Sequence, residues 1–265
     1  MDKKKIRALI LDMDGVLWRE NQPIGNLPSI FQKINSLGIK YVMATNNSTH
    51  TVAQYVTKIR SFNIPVESWQ VITSSLATAV LLKERFPNGG PIFVVGEQAL
   101  VDTLTKVGFT QTPQDGKPVL AVVAGMDKTL TYDKLRRATY LIRSGVPFIG
   151  SNPDRSFPTP QGLAPGSGAV LAAIQAATDV TPEIAGKPER SMYRLALDRL
   201  ESSPDETLAV GDRPETDIMG GQNFGCLTAL VLTGVVNRKQ AESWKPAPDV
   251  IMDDLSTLVD YLAEK

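Results

Sequence analysis

Short apolar runs rich in β-branched residues alternate along this chain with longer segments whose apolar positions recur at helical spacing. That alternation restricts the fold to βαβ units, with a parallel sheet covered by helices on both faces. "IRALILDM" (6–13) and "IKYVMATNN" (39–47) read as buried strands. "PSIFQKINSLG" (28–38), apolar at 30, 31, 34 and 37 and closed by a glycine, reads as an amphipathic helix, and 50–64 as another. The same grammar restarts mid-chain, with strands at 91–96, 118–125 and 146–154 and helices at 98–108 and 132–145. A Pro/Gly-rich stretch (156–168) reads as a linker or hinge before a helix over 169–179, and the main pattern then resumes to the end. The expected class is α/β: a doubly wound, Rossmann-like parallel-sheet core (1–78 and 179–265) with a smaller α/β domain inserted at 79–178. Such an insertion sits over the carboxyl ends of the core strands, where open α/β sheets bind ligands.

Charge and cysteine usage narrow the function classes. The 265 residues carry 28 basic and 28 acidic side chains, so no basic excess favours a nucleic-acid polymer or a membrane surface. Lys3, Lys4 and Lys5 read as a solvated edge. Cys226 is the only cysteine, which removes intrachain disulfides and cysteine metal clusters, and its setting in "GCLTALVL" reads as buried. No signal-peptide pattern and no apolar run of about 18 residues occurs, so the expected compartment is the cytoplasm. Nucleotide-loop marks are missing too: there is no GxxxxGK[ST], and "GSGAVL" (166–171) fails GxGxxG.

Four constellations carry chemistry. In "LILDMDGVLW" (9–18), Asp12 and Asp14 end an apolar run two residues apart. On an extended strand end they face one way about 6.5 Å apart, and their mutual repulsion calls for a cation beside them. Taken alone the pair also suits a turn. Thr45, Asn46 and Asn47 end a second strand and suit an anion cradle, or an N-terminal cap supplied through Ser48 or Thr49. Lys187 stands between glycine and proline in "GKP". "VGDRPETDI" (210–218) places Asp212 at a strand end and Asp217 where the next helix begins, a position whose dipole tolerates acids. All four fall at carboxyl ends of core strands or in adjoining loops. Asp12, Asp14 and Asp212 are hard oxygen donors, which suit Mg²⁺ rather than zinc. His50, the sole histidine, reads as a surface or capping residue, and Trp18 as packing or as a wall of the entrance.

"DMDGV", "ATNN", "GKP" and "GDRPETD", in that order, resemble the four motifs of the haloacid dehalogenase superfamily. The long insertion, "GVLW", "TNNS" and "GSNPD" resemble its type IIA subgroup, the NagD and 4-nitrophenylphosphatase-like enzymes with a large α/β cap. The resemblance implies a Mg²⁺-dependent phosphatase acting on small phosphomonoesters such as 4-nitrophenyl phosphate, sugar phosphates, nucleoside monophosphates, phosphoglycolate or pyridoxal phosphate. It implies Asp12 as nucleophile forming an aspartyl-phosphate, and Asp14 as proton donor to the leaving oxygen and then acceptor from water. Thr45, Asn46 and Asn47 would bind phosphoryl oxygens and Lys187 would neutralise charge. The metal would be held by Asp12, the Asp14 carbonyl and Asp212, with Asp217 orienting Lys187 or a metal-bound water. From the cap, Asn152 and Asp154 would reach the substrate, and a homodimer through the cap is plausible for the subgroup. A phosphotransferase or mutase and a non-catalytic phosphate-sensing module are the alternatives on the same fold; the second acid, Asp14, disfavours a dehalogenase.

Overall fold

The computed structural model describes residues 2–112, 117–159 and 161–264. Two compact units are present. The first comprises the described residues up to Thr45, Val52–Ile72 and those from Pro188 on; the second comprises Asn46–Thr51 and Thr73–Lys187.

In the first unit, "ALIL" and "TLAVG" are buried at every position, the signature of strands covered on both faces. They belong to a six-stranded sheet in the order Val250–Met252, Leu227–Val231, Thr207–Gly211, Ala8–Leu11, Lys40–Thr45, Val71–Thr73. Ala8–Leu11 pairs in parallel with Lys40–Thr45 on one side and Thr207–Gly211 on the other. The chain therefore leaves the central strand in one direction and returns to its opposite side, which makes the carboxyl end of Ala8–Leu11 a topological switch point. Leu11 is level with Met43 and with Val210, so the residues following all three strands emerge at one sheet edge. Helix Leu27–Ser36 starts where Asn26 accepts from the Ser29 N–H and buries Leu27, Ile30, Phe31 and Ile34. Helix Val52–Ser61 buries Tyr55, Val56 and Ile59. Both helices are shorter than the sequence pattern suggests, because local chemistry rather than periodicity ends them; the first closes at Gly38, whose φ is +68°.

The second unit is a parallel five-stranded sheet in the order Glu183–Ile184, Phe148–Gly150, Val122–Ala124, Gly90–Val95, Phe109–Gln111. Strand alternation separates two cores. Ile92, Val94, Val123 and Ile149 pack with Leu82, Leu100 and Leu104 from helices Ser74–Arg85 and Gln98–Lys106. Phe93, Val95, Val122 and Phe148 pack with Ala138, Ile142, Val170 and Ile174 from helices Tyr132–Arg143 and Ser167–Thr178. This unit extends beyond the 79–178 span expected from the pattern: helix Ser74–Arg85 belongs to it from its first residue, and Glu183–Ile184 adds an edge strand after the span. The stretch read as a linker is an antiparallel hairpin, Ser156–Thr159 with Gly162–Pro165. Its prolines and glycines masked the pattern of a two-stranded ribbon. Among the described residues, no helix is long and apolar enough to cross a membrane.

Candidate active site

The first unit gathers three carboxylates. Asp12 directly follows Ala8–Leu11 and is 9% exposed; Asp212 directly follows Thr207–Gly211 and is 2% exposed; Asp217 is 3% exposed. One oxygen of each lies within 4.8 Å of the others, a spacing at which repulsion between charges is relieved by a shared cation. The surroundings are built to admit these groups. A Cβ on Gly15 would stand 2.6 Å from the Asp212 carboxylate, one on Gly234 would collide with Asp212 Oδ2, and one on Gly211 with the Asp217 carboxylate. Gly15 also has φ +87°, where a side chain is strained. The Val235 N–H donates to Asp212 Oδ2 at 3.0 Å and the Arg213 N–H to Asp217 Oδ2 at 3.0 Å, so each carboxylate is aimed by the main chain. Hard, oxygen-only donors in this cradle fit Mg²⁺.

Asp217 reaches the cluster through a π-helical turn, Pro214–Ile218, where an α-helical start was expected. Tyr193, on helix Arg190–Leu200, donates its hydroxyl to the main-chain oxygens of Thr216 and Asp217 and so holds that turn. Asp217 thus stands as a third carboxylate beside Asp12 and Asp212. The Asp14 carboxylate is not in the cluster. It is exposed, and its Oδ1 accepts from the Trp18 indole N–H at 2.8 Å. Thr45, the last residue of its strand, is 3% exposed and hydrogen-bonded through its side chain to Tyr55. Burial first, then the nearby charges of Asp14 and Asp12, push the Tyr55 hydroxyl well above the ordinary tyrosine range.

The second unit holds the remaining motif residues. Asn46 pairs its side chain with the peptide groups flanking Lys187: Oδ1 accepts from the Lys187 N–H at 2.8 Å and Nδ2 donates to the Lys187 carbonyl at 2.9 Å. A further Nδ2 bond at 3.1 Å goes to Asp154 Oδ1. Gly186 makes room for this clamp, since a Cβ there would sit 2.6 Å from Asn46 Oδ1. Lys187 is 3% exposed. Asn152, 2% exposed, donates to the Asn46 carbonyl and the Ser167 hydroxyl and accepts from the Asp154 N–H. The Asn46 and Asn152 amides thus have internal partners, and the Asn46 side chain fixes the main chain at Lys187. Asn47 Oδ1 accepts from the N–H and hydroxyl of Thr49, an Asx turn. His50 is exposed beside Thr49.

Sequence reasoning missed Tyr55, Gly15, Gly211 and Gly234. The glycines carried a signal, each lying beside a motif aspartate or just past a strand end; Tyr55 carried none, being one apolar position of a helix.

The chain matches the family model described as haloacid dehalogenase-like hydrolase over residues 9–110 and that described as HAD-hydrolase-like over 184–258. It is 34% identical over 259 residues to an acid sugar phosphatase of Staphylococcus epidermidis, with 98% of this chain and 99% of that protein covered. Among solved structures it is similar to NagD from E. coli K-12, with TM-score 0.86, 31% identity and coverage of 95% and 97% of the two chains. It is also similar to a glycerol phosphate phosphatase from Mycobacterium tuberculosis in complex with magnesium, with TM-score 0.88, 29% identity and coverage of 97% and 77%. The ordered motifs, the carboxylate cluster at the switch point and these similarities together place the chain in the haloacid dehalogenase-like hydrolase family, among its NagD-like phosphatases.

Proposed function

We propose that this phosphatase is Mg²⁺-dependent and hydrolyses small, hydroxyl-rich alkyl phosphomonoesters, sugar and polyol phosphates foremost, through an aspartyl-phosphate on Asp12. The observation that carries the reading is the division of labour among acids: Asp12, Asp212 and Asp217 form one cluster, while Asp14, two residues from Asp12, is held apart by Trp18. The names of the similar proteins, an acid sugar phosphatase and a glycerol phosphate phosphatase, support the substrate class.

In this mechanism Asp12 attacks phosphorus, the bond from phosphorus to the leaving oxygen breaks, and Asp14 delivers a proton to that oxygen. Asp14 then takes a proton from water as the water attacks the phosphoryl group and frees Asp12. Asp12, Asp212 and Asp217, with the Asp14 main-chain carbonyl, would hold the cation, which supplies charge neutralisation for the phosphoryl oxygens. The Thr45 hydroxyl would bind a phosphoryl oxygen, and Asn46 would offer its main-chain N–H. Lys187, fixed at its main chain by Asn46, would supply the neutralising ammonium.

The test is phosphate release from a panel of sugar phosphates, glycerol phosphate and 4-nitrophenyl phosphate, with Mg²⁺ and with EDTA, beside Asp12→Asn. Turnover that needs Mg²⁺ and vanishes in the variant is expected; full activity in excess EDTA, or in Asp12→Asn, would overturn the reading.

A further inference from the structure

Trp18 is fully buried, yet its one polar atom is spent on an exposed carboxylate. The turn after Asp12 explains the approach. The Gly15 N–H donates to the Trp18 carbonyl at 2.8 Å and Leu17 N–H to the Met13 carbonyl at 2.8 Å, folding the chain so that residue 18 lies against residue 14. The hairpin Trp18–Arg19 with Gln22–Pro23 continues from there. Around the indole, Tyr55 stacks with centroids 6.4 Å apart and planes 17° apart, and Phe62 packs at 5.7 Å. Lys58 Nζ stands 4.4 Å from the ring centroid, held by a 2.7 Å bond to the Glu20 carbonyl. A cation over an indole face withdraws electron density from the ring, which makes its N–H a stronger donor. Such a ring cannot swing, and the carboxylate it holds is fixed with it.

We propose that Trp18 is a positioning residue for proton transfer: its indole N–H holds Asp14 Oδ1, so that Oδ2 faces the leaving oxygen, with Tyr55, Phe62 and Lys58 clamping the ring. The proposal rests on the reading of Asp14 as the general acid. Tyr55, hydrogen-bonded to Thr45 on its other side, links the same clamp to the phosphoryl-binding strand end. The consequence is selective. In the step that forms the aspartyl-phosphate, protonation matters most for a poor alkoxide leaving group and least for 4-nitrophenolate, so losing the indole N–H slows that step for alkyl phosphates and largely spares it for the aryl ester.

The experiment measures the single-turnover rate of leaving-group release, and the substrate concentration that half-saturates it, for Trp18→Phe, Asp14→Asn and the double variant on glycerol phosphate and 4-nitrophenyl phosphate, so that the later attack of water does not enter. Trp18→Phe keeps the ring packing and removes the donor. The expected result is a loss in the rate of leaving-group release at least about tenfold larger on glycerol phosphate than on the aryl ester, with half-saturation little changed and the double variant no worse than Asp14→Asn. Equal losses on both substrates, no loss, or additive losses in the double variant would overturn the proposal. An Asp14→Asn variant with the same loss on both esters would instead remove the general-acid reading, and this inference with it. Should Trp18→Phe fold poorly, the indole N–H resonance of Trp18 in the otherwise native chain reports the bond. An upfield move in Asp14→Ala is expected, and an unmoved resonance would defeat the proposal.

Discussion

The side-chain amide of Asn46 grips the two peptide groups of Lys187, accepting from one and donating to the other, at 2.8 and 2.9 Å. A carboxamide is the only common side chain that can do both at this length. Asn46→Asp places a second carboxylate beside Asp154 and removes the donor to the Lys187 carbonyl. We expect kcat to fall by more than about tenfold. Asn46→Ala removes both bonds to the Lys187 peptide groups, costing about 1–3 kcal/mol for each. Urea unfolding and steady-state kinetics on both variants check this; wild-type kcat in Asn46→Asp would show that the clamp is dispensable.

Gly234→Ala tests the carboxylate cradle. The new methyl must displace Asp212, a short buried group with nowhere to retreat. The expected outcome is a rise of about tenfold or more in the Mg²⁺ concentration giving half-maximal activity, with saturating kcat less affected. Unaltered Mg²⁺ dependence in a folded variant would count against Asp212 as a ligand.

Asp217 separates two roles. If its carboxylate joins the metal set, Asp217→Asn weakens Mg²⁺ binding measured calorimetrically in the absence of substrate, by about 10- to 100-fold. Unchanged binding with lowered kcat would return it to the supporting role that the resemblance suggests.

Burial pushes the Cys226 thiol up to about 12. With the folded value raised, the stability gained by keeping the thiol neutral is complete below the ordinary thiol pKa and is lost as pH rises toward 12. Native protein at pH 8 should label slowly with a disulfide reagent, and the urea-unfolded chain rapidly. Rapid stoichiometric labelling of the native protein, with activity retained, would contradict the burial of this residue.

How much of this was legible in the sequence depends on whether a feature is local. Asp12, Asp14, Asp212 and Lys187 stand in short motifs at strand ends, and the buried runs "ALIL" and "TLAVG" announce their strands. The sheet alternation that sends Ile92 and Val94 to one core and Phe93 and Val95 to the other is also written in the chain. Bonds that span more than a hundred residues are not: nothing in "TNNS" says that Asn46 will meet Lys187 and Asp154. The pairing of Ser156–Thr159 with Gly162–Pro165 was hidden because proline and glycine signal turns more strongly than they signal a strand. Trp18 read as packing, which it is, but the direction of one N–H is a property of the folded turn alone.

The π-helical turn Pro214–Ile218 works as a phase shifter. An α-helix advances about 100° per residue, so its wider winding changes which direction every following side chain points. Asp217 is delivered toward Asp12 and Asp212, while Gly220 still meets Tyr193 and Gly221 still meets Ala209 and Thr228 on the sheet. One added or removed residue in 213–218 would therefore not merely lengthen or shorten a loop. It would rotate the carboxylate and the two glycines out of step with one another, so that either the carboxylate cluster or the helix-to-sheet contact survives, but not both.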